Sequence, residues 1–317
     1  MWIAPVRSPR VTRVSSAPDL GPVPQRRPVE VAQVRRLVAE QLPQAAELVI
    51  APVADGGWDN YTFHLGPELV ARFPSAAEYA LAVEKEHRWL PVLAPRLPLP
   101  VPVPVLKGEP GAGYPHAWSV YRWLDGVPAT ADRIVDPVRF AEDLAGFLLA
   151  LHGVDPAGGP PPGVHNWFRG GTLRTYDSIV RSALDELAGH VDVELVREVW
   201  ADALDARWDG ADRWFHGDVA AGNLLLRGGQ LAAVIDFGTC GVGDPACDLA
   251  VAWTLLTTDG REAFRDRLSV DAATWSRGRG WALWKALTTC ASTHADPEDA
   301  ADFASAQRVL AEVVADR

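Results

Sequence analysis

The stretch HGDVAAGNLLLRGGQLAAVIDFG, residues 216–238, combines polar and glycine-rich segments with two short apolar runs. The apolar runs flank Arg-Gly-Gly-Gln, and this arrangement predicts a β-hairpin that turns in that tetrapeptide. Counting outward from the turn places Leu226 opposite Leu231 and Asn223 opposite Val234. The hairpin therefore decides which of the flanking polar side chains can meet.

Three polar residues around this hairpin suit a metal ion and a reacting hydroxyl. Asp236 lies two positions diagonally from Asn223, within about 8 Å, so both side chains can converge on one cation. A carboxylate and an amide oxygen, completed by water and phosphate, suit Mg²⁺. Asp218, in the loop before the hairpin, suits a base or an orienting group for a hydroxyl. Taken singly, Asp218 is better explained as a turn cap and Asp236 as a strand-end residue. The joint pattern of the three residues favours an active site.

His216, beside a glycine, is predicted to be structural.

The order His-Gly-Asp, four residues, Asn, and then Ile-Asp-Phe-Gly at 235–238 resembles the aminoglycoside phosphotransferase family. Members of that family are small-molecule kinases with a fold like that of protein kinases. Gly-Asp-Pro-Ala at 243–246 and Asp-Leu-Ala at 248–250 are also typical of it. The resemblance runs from about residue 45 to about residue 310 and is strongest at 215–253.

The resemblance implies a role for each residue of the motif. Asp218 corresponds to the catalytic aspartate that orients or deprotonates the acceptor hydroxyl. Asn223 and Asp236 correspond to the ligands of Mg²⁺. Transfer of the γ-phosphoryl group then relies on positioning and charge neutralisation rather than on a covalent intermediate.

In such kinases a cation of the amino-terminal sheet binds the nucleotide phosphates and pairs with a helix glutamate. The corresponding strand, LVARF at 69–73, offers Arg72, and only three lysines occur in the whole chain. Glu86 lies on the apolar stripe of the next predicted helix, where an unpaired carboxylate is costly. We therefore expect Arg72 to pair with Glu86 and to bridge phosphate oxygens. The alternative is an edge-strand arginine beside a surface glutamate.

Two further segments correspond to nucleotide-binding parts of the family. The loop 55–60 stands where a phosphate-covering loop belongs, and Gly57 is its candidate contact to the nucleotide phosphates, although the loop lacks a full GxGxxG.

Tyr121, Arg122 and Leu124 resemble the hinge between the two lobes of such kinases. Adenine would bond to the backbone near Arg122 and Leu124. A bulky Tyr121 at the back of the pocket disfavours adenine, so GTP is the alternative to ATP as donor.

Working outward, alternating patterns predict strands at 48–54, 61–65, 69–73 and 117–124. Residues 95–105 are too rich in proline for a helix or an inner strand and are predicted to form an extended connector. Helical patterns predict a first helix at 28–42. A second helix is predicted to begin at Ser75, with a Ser75–Glu78 capping box, and a third at Pro137 after Asp136. Further helices are predicted at 177–190, 192–207, 246–258, 271–292 and 297–315.

The predicted fold class is α+β, a protein-kinase-like two-lobe fold. A small antiparallel sheet with one main helix forms the amino-terminal lobe, 28–124, and a larger, mostly helical lobe spans 125–317. Residues 1–27 are predicted to be a disordered, basic, proline-rich tail.

The 317 residues carry a net charge of −11, unevenly distributed. The first 36 residues hold seven arginines against two carboxylates, so the body is strongly acidic. An acidic body argues against nucleic-acid or anionic-membrane partners and fits a cationic acceptor; it also serves solubility alone. The candidates for attracting such an acceptor are acidic residues of the second lobe: Asp177, Asp185, Glu186, Asp205, Asp209, Asp296, Glu298, Asp299 and Asp302.

Three cysteines without a CxxC pair, no apolar run of membrane-spanning length and no secretion signal indicate a cytoplasmic protein with reduced thiols. The expected activity is transfer of a nucleotide γ-phosphoryl group to a hydroxyl of a small molecule. An antibiotic is the leading acceptor, aminoglycoside ahead of macrolide. The alternatives are a metabolic kinase acting on an amino alcohol, homoserine or a sugar, and a nucleotide-binding pseudokinase scaffold. The intact Asp218, Asn223 and Asp236 argue against the scaffold, and the sequence leaves the oligomeric state open.

Overall fold

A computed structural model describes residues 24–54 and 57–316 of the chain. The first lobe contains an antiparallel sheet of five strands in the order β1-β2-β3-β5-β4. The strands are β1 (Ile50–Pro52), β2 (Asn60–Leu65), β3 (Leu69–Pro74), β4 (Pro104–Gly108) and β5 (Trp118–Arg122). The sheet confirms the predicted small antiparallel amino-terminal lobe.

The turn between β2 and β3 fixes which side chains of β3 face the second lobe. Gly66 has φ of +61°, which a residue without a Cβ adopts without strain. The resulting register pairs Leu65 with Leu69 and Thr62 with Arg72. Because side chains alternate along a strand, Ala71 and Phe73 enter the core of the first lobe while Arg72 faces the cleft between the lobes.

Two helices complete the first lobe, α1 (Val31–Gln41) and α2 (Ala77–Leu93). The apolar stripe of α2 is buried as predicted, and Glu86 is buried within it. The predicted capping box is wrong: α2 begins after Ala76, which makes no side-chain cap. The Ser75 hydroxyl instead donates to the Trp58 carbonyl at 3.2 Å, so it ties the glycine-containing loop to the start of the helix.

The proline-rich connector ends in a strand that the pattern did not predict. β4 pairs with β5 alone and forms one edge of the sheet. An edge strand tolerates proline because a missing N–H there need not break a ladder bond, and Pro104 stands at the first position of β4.

The second lobe is mostly helical, as predicted. Its helices are α3 (Pro137–His152), α4 (Asp177–Glu186), α5 (Val193–Asp205), α6 (Val251–Thr254), α7 (Thr258–Leu268), α8 (Ala272–Thr293) and α9 (Ala300–Ala315). Helix α3 begins as its sequence predicts, because the Asp136 carboxylate accepts the Arg139 N–H at 3.0 Å.

Five short strands interrupt the helices of the second lobe. They are β6 (Val127–Pro128), β7 (Arg213–Phe215), β8 (Leu224–Arg227), β9 (Gln230–Val234) and β10 (Gly241–Gly243). β8 and β9 form the predicted hairpin, with β6 beside β8, and β10 pairs with β7.

The hairpin confirms one predicted register pair and corrects the other. Leu226 lies opposite Leu231, as expected. The ladder then shifts by one residue between Leu225 and Leu226, so Val234 faces Leu224 rather than Asn223. An extra residue in one strand of a pair produces this shift, which a simple outward count does not anticipate. The Asn223 carbonyl accepts the Ile235 N–H at 2.9 Å instead.

Most of the predicted tail, residues 1–23, lies outside the described residues. Its last residues contact the first lobe. The Arg26 guanidinium lies 4.6 Å from the Trp58 ring centroid and 5.1 Å from that of Tyr61, and the Arg27 N–H donates to the Ser75 carbonyl at 2.8 Å. In the described part of the chain no helix has the length and apolar character needed to cross a membrane.

Candidate active site

A cavity of about 440 Å³ opens between the two lobes. It brings together residues from the glycine-containing loop, β3, the segment after β5 and the hairpin. The residues predicted for the site that line it are Gly57, Arg72, Tyr121, Arg122, Leu124, Asn223 and Asp236. The two others, Glu86 and Asp218, lie directly behind this lining, the first bonded to Tyr121 and the second to Asn223.

Arg72 connects the two lobes electrostatically. Its Nη2 lies 3.0 Å from Asp236 Oδ1, and its Nη1 lies 3.6 Å from Glu86 Oε1. Burial alone lowers the pKa of Arg72, but the carboxylates of Asp236 and Glu86 outweigh it and hold that pKa above its usual value. Arg72 therefore stays charged in a buried position, and the predicted pairing of Arg72 with Glu86 is confirmed.

Glu86 has a second partner that the sequence did not suggest. The Tyr121 hydroxyl donates to Glu86 Oε2 at 2.6 Å, and both side chains are almost fully buried. Burial raises the pKa of Glu86 although Arg72 opposes the shift. The bond fixes the Tyr121 ring at the inner end of the cavity, next to the hinge segment.

Asp236 stands on a strained backbone. Its φ of +65° lies in the left-handed region that non-glycine residues seldom adopt. The conformation turns the chain sharply after β9, and Asp236 Oδ1 accepts the Gly238 N–H at 3.4 Å. Lys85, a buried residue of α2, donates to the Gly238 carbonyl at 2.7 Å and lies 3.0 Å from His165 Nδ1. This turn therefore depends on α2 for part of its support.

Asp218 is held by an amide on one side and by a cation on the other. Asn223 Nδ2 donates to the Asp218 carbonyl at 2.9 Å and to Asp218 Oδ2 at 3.1 Å. Lys285 Nζ, from α8, donates to Asp218 Oδ1 at 2.8 Å. Burial opposes ionisation, but Lys285 lowers the pKa of Asp218 below its usual range. The carboxylate is thus ionised and fixed in orientation.

The loop that carries Asp218 is held in place by the buried side chain of Asp248. The buried Asp248 accepts the His216 N–H at 2.9 Å and the Gly217 N–H at 2.7 Å. Gly217 has φ of +87° and its backbone packs against Thr239, so a side chain there meets both strain and a clash. His216 is fully buried, with Nε2 3.0 Å from the Ile235 carbonyl, which confirms that its role is structural.

The donor set of Asn223 and Asp236 fits Mg²⁺. Because the side-chain nitrogen of Asn223 donates to Asp218, the side-chain oxygen Oδ1 of Asn223 is the atom available to a cation. Both side chains line the cavity, where water and phosphate oxygens would supply the remaining ligands of a bound Mg²⁺. Within the described residues no group of three or more His, Cys, Asp or Glu side chains could hold a metal ion.

Sequence reasoning missed three residues of this region. Asp59, at the end of the glycine-containing loop, lines the cavity, and burial together with the nearby Asp236 raises its pKa to about 7. Lys285 and Arg169 contact or face Asp218 from the second lobe. A carboxylate in a predicted phosphate loop was a usable signal for Asp59. No signal marked Lys285, because α8 follows the hairpin by almost 40 residues and its contact is tertiary.

The acidic residues predicted to attract the acceptor do not meet at Asp218. None of them lines either cleft next to that residue in the described structure. Four are paired with basic side chains of the second lobe: Asp177 with Arg181, Asp185 with Arg197, Glu186 with His294 and Asp205 with Arg174. They belong to the solvated surface of the helices.

Fold and site together define a two-lobed, kinase-like, nucleotide-binding enzyme. The model of the phosphotransferase enzyme family matches residues 50–281, well over half of the chain. The chain therefore belongs to the phosphotransferase enzyme family, which transfers phosphoryl groups to hydroxyls, and the resemblance stated from the sequence is confirmed.

Solved structures agree with this fold. A GDP complex of an aminoglycoside 2′-phosphotransferase of type IIIa superposes with a TM-score of 0.69 at 18% identity, covering 90% of this chain and 98% of that one. A GDP and kanamycin complex of a related enzyme gives 0.68 at 19% identity, covering 90% and 99%. A macrolide 2′-phosphotransferase of type I gives 0.59 at 21% identity, covering 88% and 96%. The comparison with curated proteins gives no match.

Proposed function

We propose that this enzyme transfers the γ-phosphoryl group of a nucleoside triphosphate to a hydroxyl of a small molecule, with Asp218 as the catalytic residue. The observation that carries the proposal is the direct bond between Asp218 and Asn223, together with the contact between Asp236 and Arg72. These contacts support the proposal because they bring the candidate base, the candidate metal ligands and the candidate phosphate-binding cation close to one another.

The chemistry follows from these positions. Ionised Asp218 accepts the proton of the acceptor hydroxyl as its oxygen bonds to the γ-phosphorus, and the bond from that phosphorus to the bridging oxygen breaks, leaving a nucleoside diphosphate. Arg72 binds phosphate oxygens and is kept in place by Glu86. Asn223 and Asp236 hold Mg²⁺, which neutralises phosphate charge when it is bound.

We propose that the nucleobase bonds to the backbone near Arg122 and Leu124, which line the cavity, and that Gly57 lies near the phosphates. We propose ATP as the donor, with GTP as the alternative because a bulky Tyr121, fixed by its bond to Glu86, disfavours adenine. Solved neighbours include complexes with GDP, ADP and ATP.

The role of Tyr121 in donor choice is tested by comparing kcat/KM for ATP and GTP. We expect the wild type to use GTP at least as well as ATP, and Tyr121→Ala to shift the ratio toward ATP by about tenfold. Tyr121→Phe keeps the ring and serves as the control, since it should leave the ratio unchanged. A wild-type preference for ATP that Tyr121→Ala does not alter contradicts the role.

Two classes of acceptor are candidates for this reaction. An antibiotic acceptor, aminoglycoside ahead of macrolide, is supported by the likeness to enzymes of those names. The alternative is a metabolic kinase acting on an amino alcohol, homoserine or a sugar. One observation favours its homoserine and sugar acceptors: the cations Lys285 and Arg169 flank Asp218, where a polycationic drug would meet like charge. We also infer a cytoplasmic location from the nucleotide donor and the three free, buried cysteines.

The decisive experiment is a phosphorylation screen over aminoglycosides, macrolides, amino alcohols and sugars, with mass detection of a phosphate adduct. Asp218→Asn should lower kcat on the accepted compound by about 100- to 10,000-fold, because it removes the base at nearly constant shape. The nucleotide Kd should stay within about threefold, since Asp218 lies outside the nucleotide cavity.

Asp209→Asn, an exposed change in the same lobe, is the matched control and should behave like the wild type. Full activity in Asp218→Asn would overturn the mechanism. Nucleotide binding without transfer to any acceptor would favour a scaffold.

A further inference from the structure

A second, much smaller pocket, with a volume of about 20 Å³, lies beside Asp218 and is open to solvent. It is formed entirely by the second lobe, and it shares no lining residue with the nucleotide cavity. Its charged lining residues are Arg169, Asp218 and Lys285, and Trp281 and Trp284 form one wall. A hydroxyl bound in this pocket would lie next to the Asp218 carboxylate.

Arg169 occupies the aromatic faces of this pocket. Its guanidinium carbon lies 4.4 Å from the Trp284 ring centroid and 5.4 Å from that of Trp281. Its Nη1 donates to the Tyr176 hydroxyl at 2.5 Å, which fixes the guanidinium in the pocket. Aromatic faces of this kind bind ammonium ligands in other proteins. Here they already hold a cation of the chain itself, so an acceptor ammonium group meets a like charge instead of a free ring.

Lys285 adds a second positive charge. Its ammonium donates to Asp218 Oδ1, and its side chain is 44% exposed, so solvent and ligands reach it. An ammonium group carries three N–H donors, and Asp218 is its one side-chain partner within the described residues. The lining thus has two cations against one carboxylate, in a chain whose net charge is −11. A positive pocket in an acidic protein is a local arrangement that composition does not explain.

We propose that Arg169 and Lys285 form an anion subsite for the acceptor, so that the substrate is a hydroxy compound bearing a carboxylate. The proposal rests on the phosphotransferase function proposed above and names its acceptor class. A guanidinium binds a carboxylate through paired, charge-assisted hydrogen bonds, which orients the acceptor as well as holding it. The donor phosphates have Arg72 and the metal site on their own side, so they do not require these two cations.

The test compares acceptors that differ in one charge. Gluconate is set against gluconamide and homoserine against homoserinamide, with an aminoglycoside as the polycationic probe, and phosphate transfer is followed by mass. We expect the acid of a pair to exceed its neutral partner in kcat/KM by about 10- to 100-fold. Arg169→Gln and Lys285→Gln should each raise the acceptor KM by a similar factor and reduce the acid-to-neutral ratio. The nucleotide KM should stay within about twofold.

The matched controls are Arg181→Gln and Lys107→Gln, exposed cations that lie outside both pockets, and both should leave the ratio unchanged. Transfer to the aminoglycoside and not to either acid overturns the anion subsite while leaving the phosphotransferase function intact. A rise in nucleotide KM in the two glutamine variants assigns the cations to the donor and overturns it too. A lower kcat with an unchanged ratio in Lys285→Gln means that Lys285 only orients Asp218. Absence of transfer to every acceptor, with nucleotide still bound, overturns the proposed function itself.

Discussion

Arg72 shows how a single residue type shapes this active site. The chain has three lysines and 27 arginines, and the sheet cation that lines the cleft is an arginine. Its two terminal nitrogens reach two different carboxylates, on Glu86 and Asp236. A single ammonium cannot span both with the same geometry.

Replacing Arg72 tests its role. We expect Arg72→Ala to raise the nucleotide KM at least about tenfold, because a charge-assisted phosphate contact is lost and Glu86 is left buried without its cation. Arg72→Lys should recover part of the loss. The measurement is initial-rate kinetics at saturating acceptor, with Arg139→Ala, an exposed arginine paired with Asp143, as the control. An unchanged nucleotide KM in Arg72→Ala would contradict the assignment.

The lysines show where prediction at this scale stops. The sequence has no lysine on β3, the strand that carries Arg72. Two of the three lysines nevertheless lie at the site, Lys85 beneath the turn after Asp236 and Lys285 beside Asp218. Neither carries a motif, because each reaches the site from a distant helix. Proximity in space, not spacing in sequence, brings them there.

Helix α2 supports the turn after β9 that carries Asp236. It carries Glu86 on the face toward Arg72 and Lys85 on the face toward Gly238. The apolar periodicity predicted the helix, and the carboxylate of Glu86 on its apolar stripe predicted a cationic partner. They did not indicate that the neighbouring lysine is buried as well, since burial of an ammonium group depends on which carbonyls surround it.

Removing the Lys85 ammonium should therefore weaken the fold around Asp236. We expect Lys85→Met to lower the melting temperature by about 2–6 °C, because the Gly238 carbonyl loses its donor in a buried position. We also expect a lower kcat, since the turn carrying Asp236 loosens. Calorimetry and steady-state kinetics give both values. Lys107→Met, at an exposed lysine paired with Glu84, is the control, and equal stability of the two variants would contradict the role.

The hairpin shows the limit of element-level reasoning. The paired apolar runs and the glycine turn predict β8 and β9, and the pair nearest the turn is correct. The bulge then changes which residue faces Asn223, and no local pattern announces it. The proximity of Asn223 to Asp218 survives the shift, because both precede β8 on the same loop and bond directly.

At the scale of the whole molecule, burial makes the cysteines chemically inert. Burial raises the pKa of the Cys240 thiol to about 12 and that of Cys290 to about 11, and it places that of Cys247 well above its usual value. The thiolate is the reactive form, so its fraction at pH 8 is very small. We expect a disulfide reagent to modify none of the three thiols in the native protein at pH 8, and all three after denaturation. Rapid modification of any one in the native state would contradict the burial.

The sequence by itself determined the two-lobed α+β fold, the motif residues Asp218, Asn223 and Asp236, and the pairing of Arg72 with Glu86. It could do so because local periodicity sets the elements, and because an unpaired buried carboxylate demands a cation. Only the tertiary structure decided which charges surround Asp218. The acidic helix residues that the composition favoured lie away from Asp218, while Arg169 and Lys285 reach it from segments far apart in the chain. The sign of charge in a pocket depends on which few side chains converge there, and only packing fixes that.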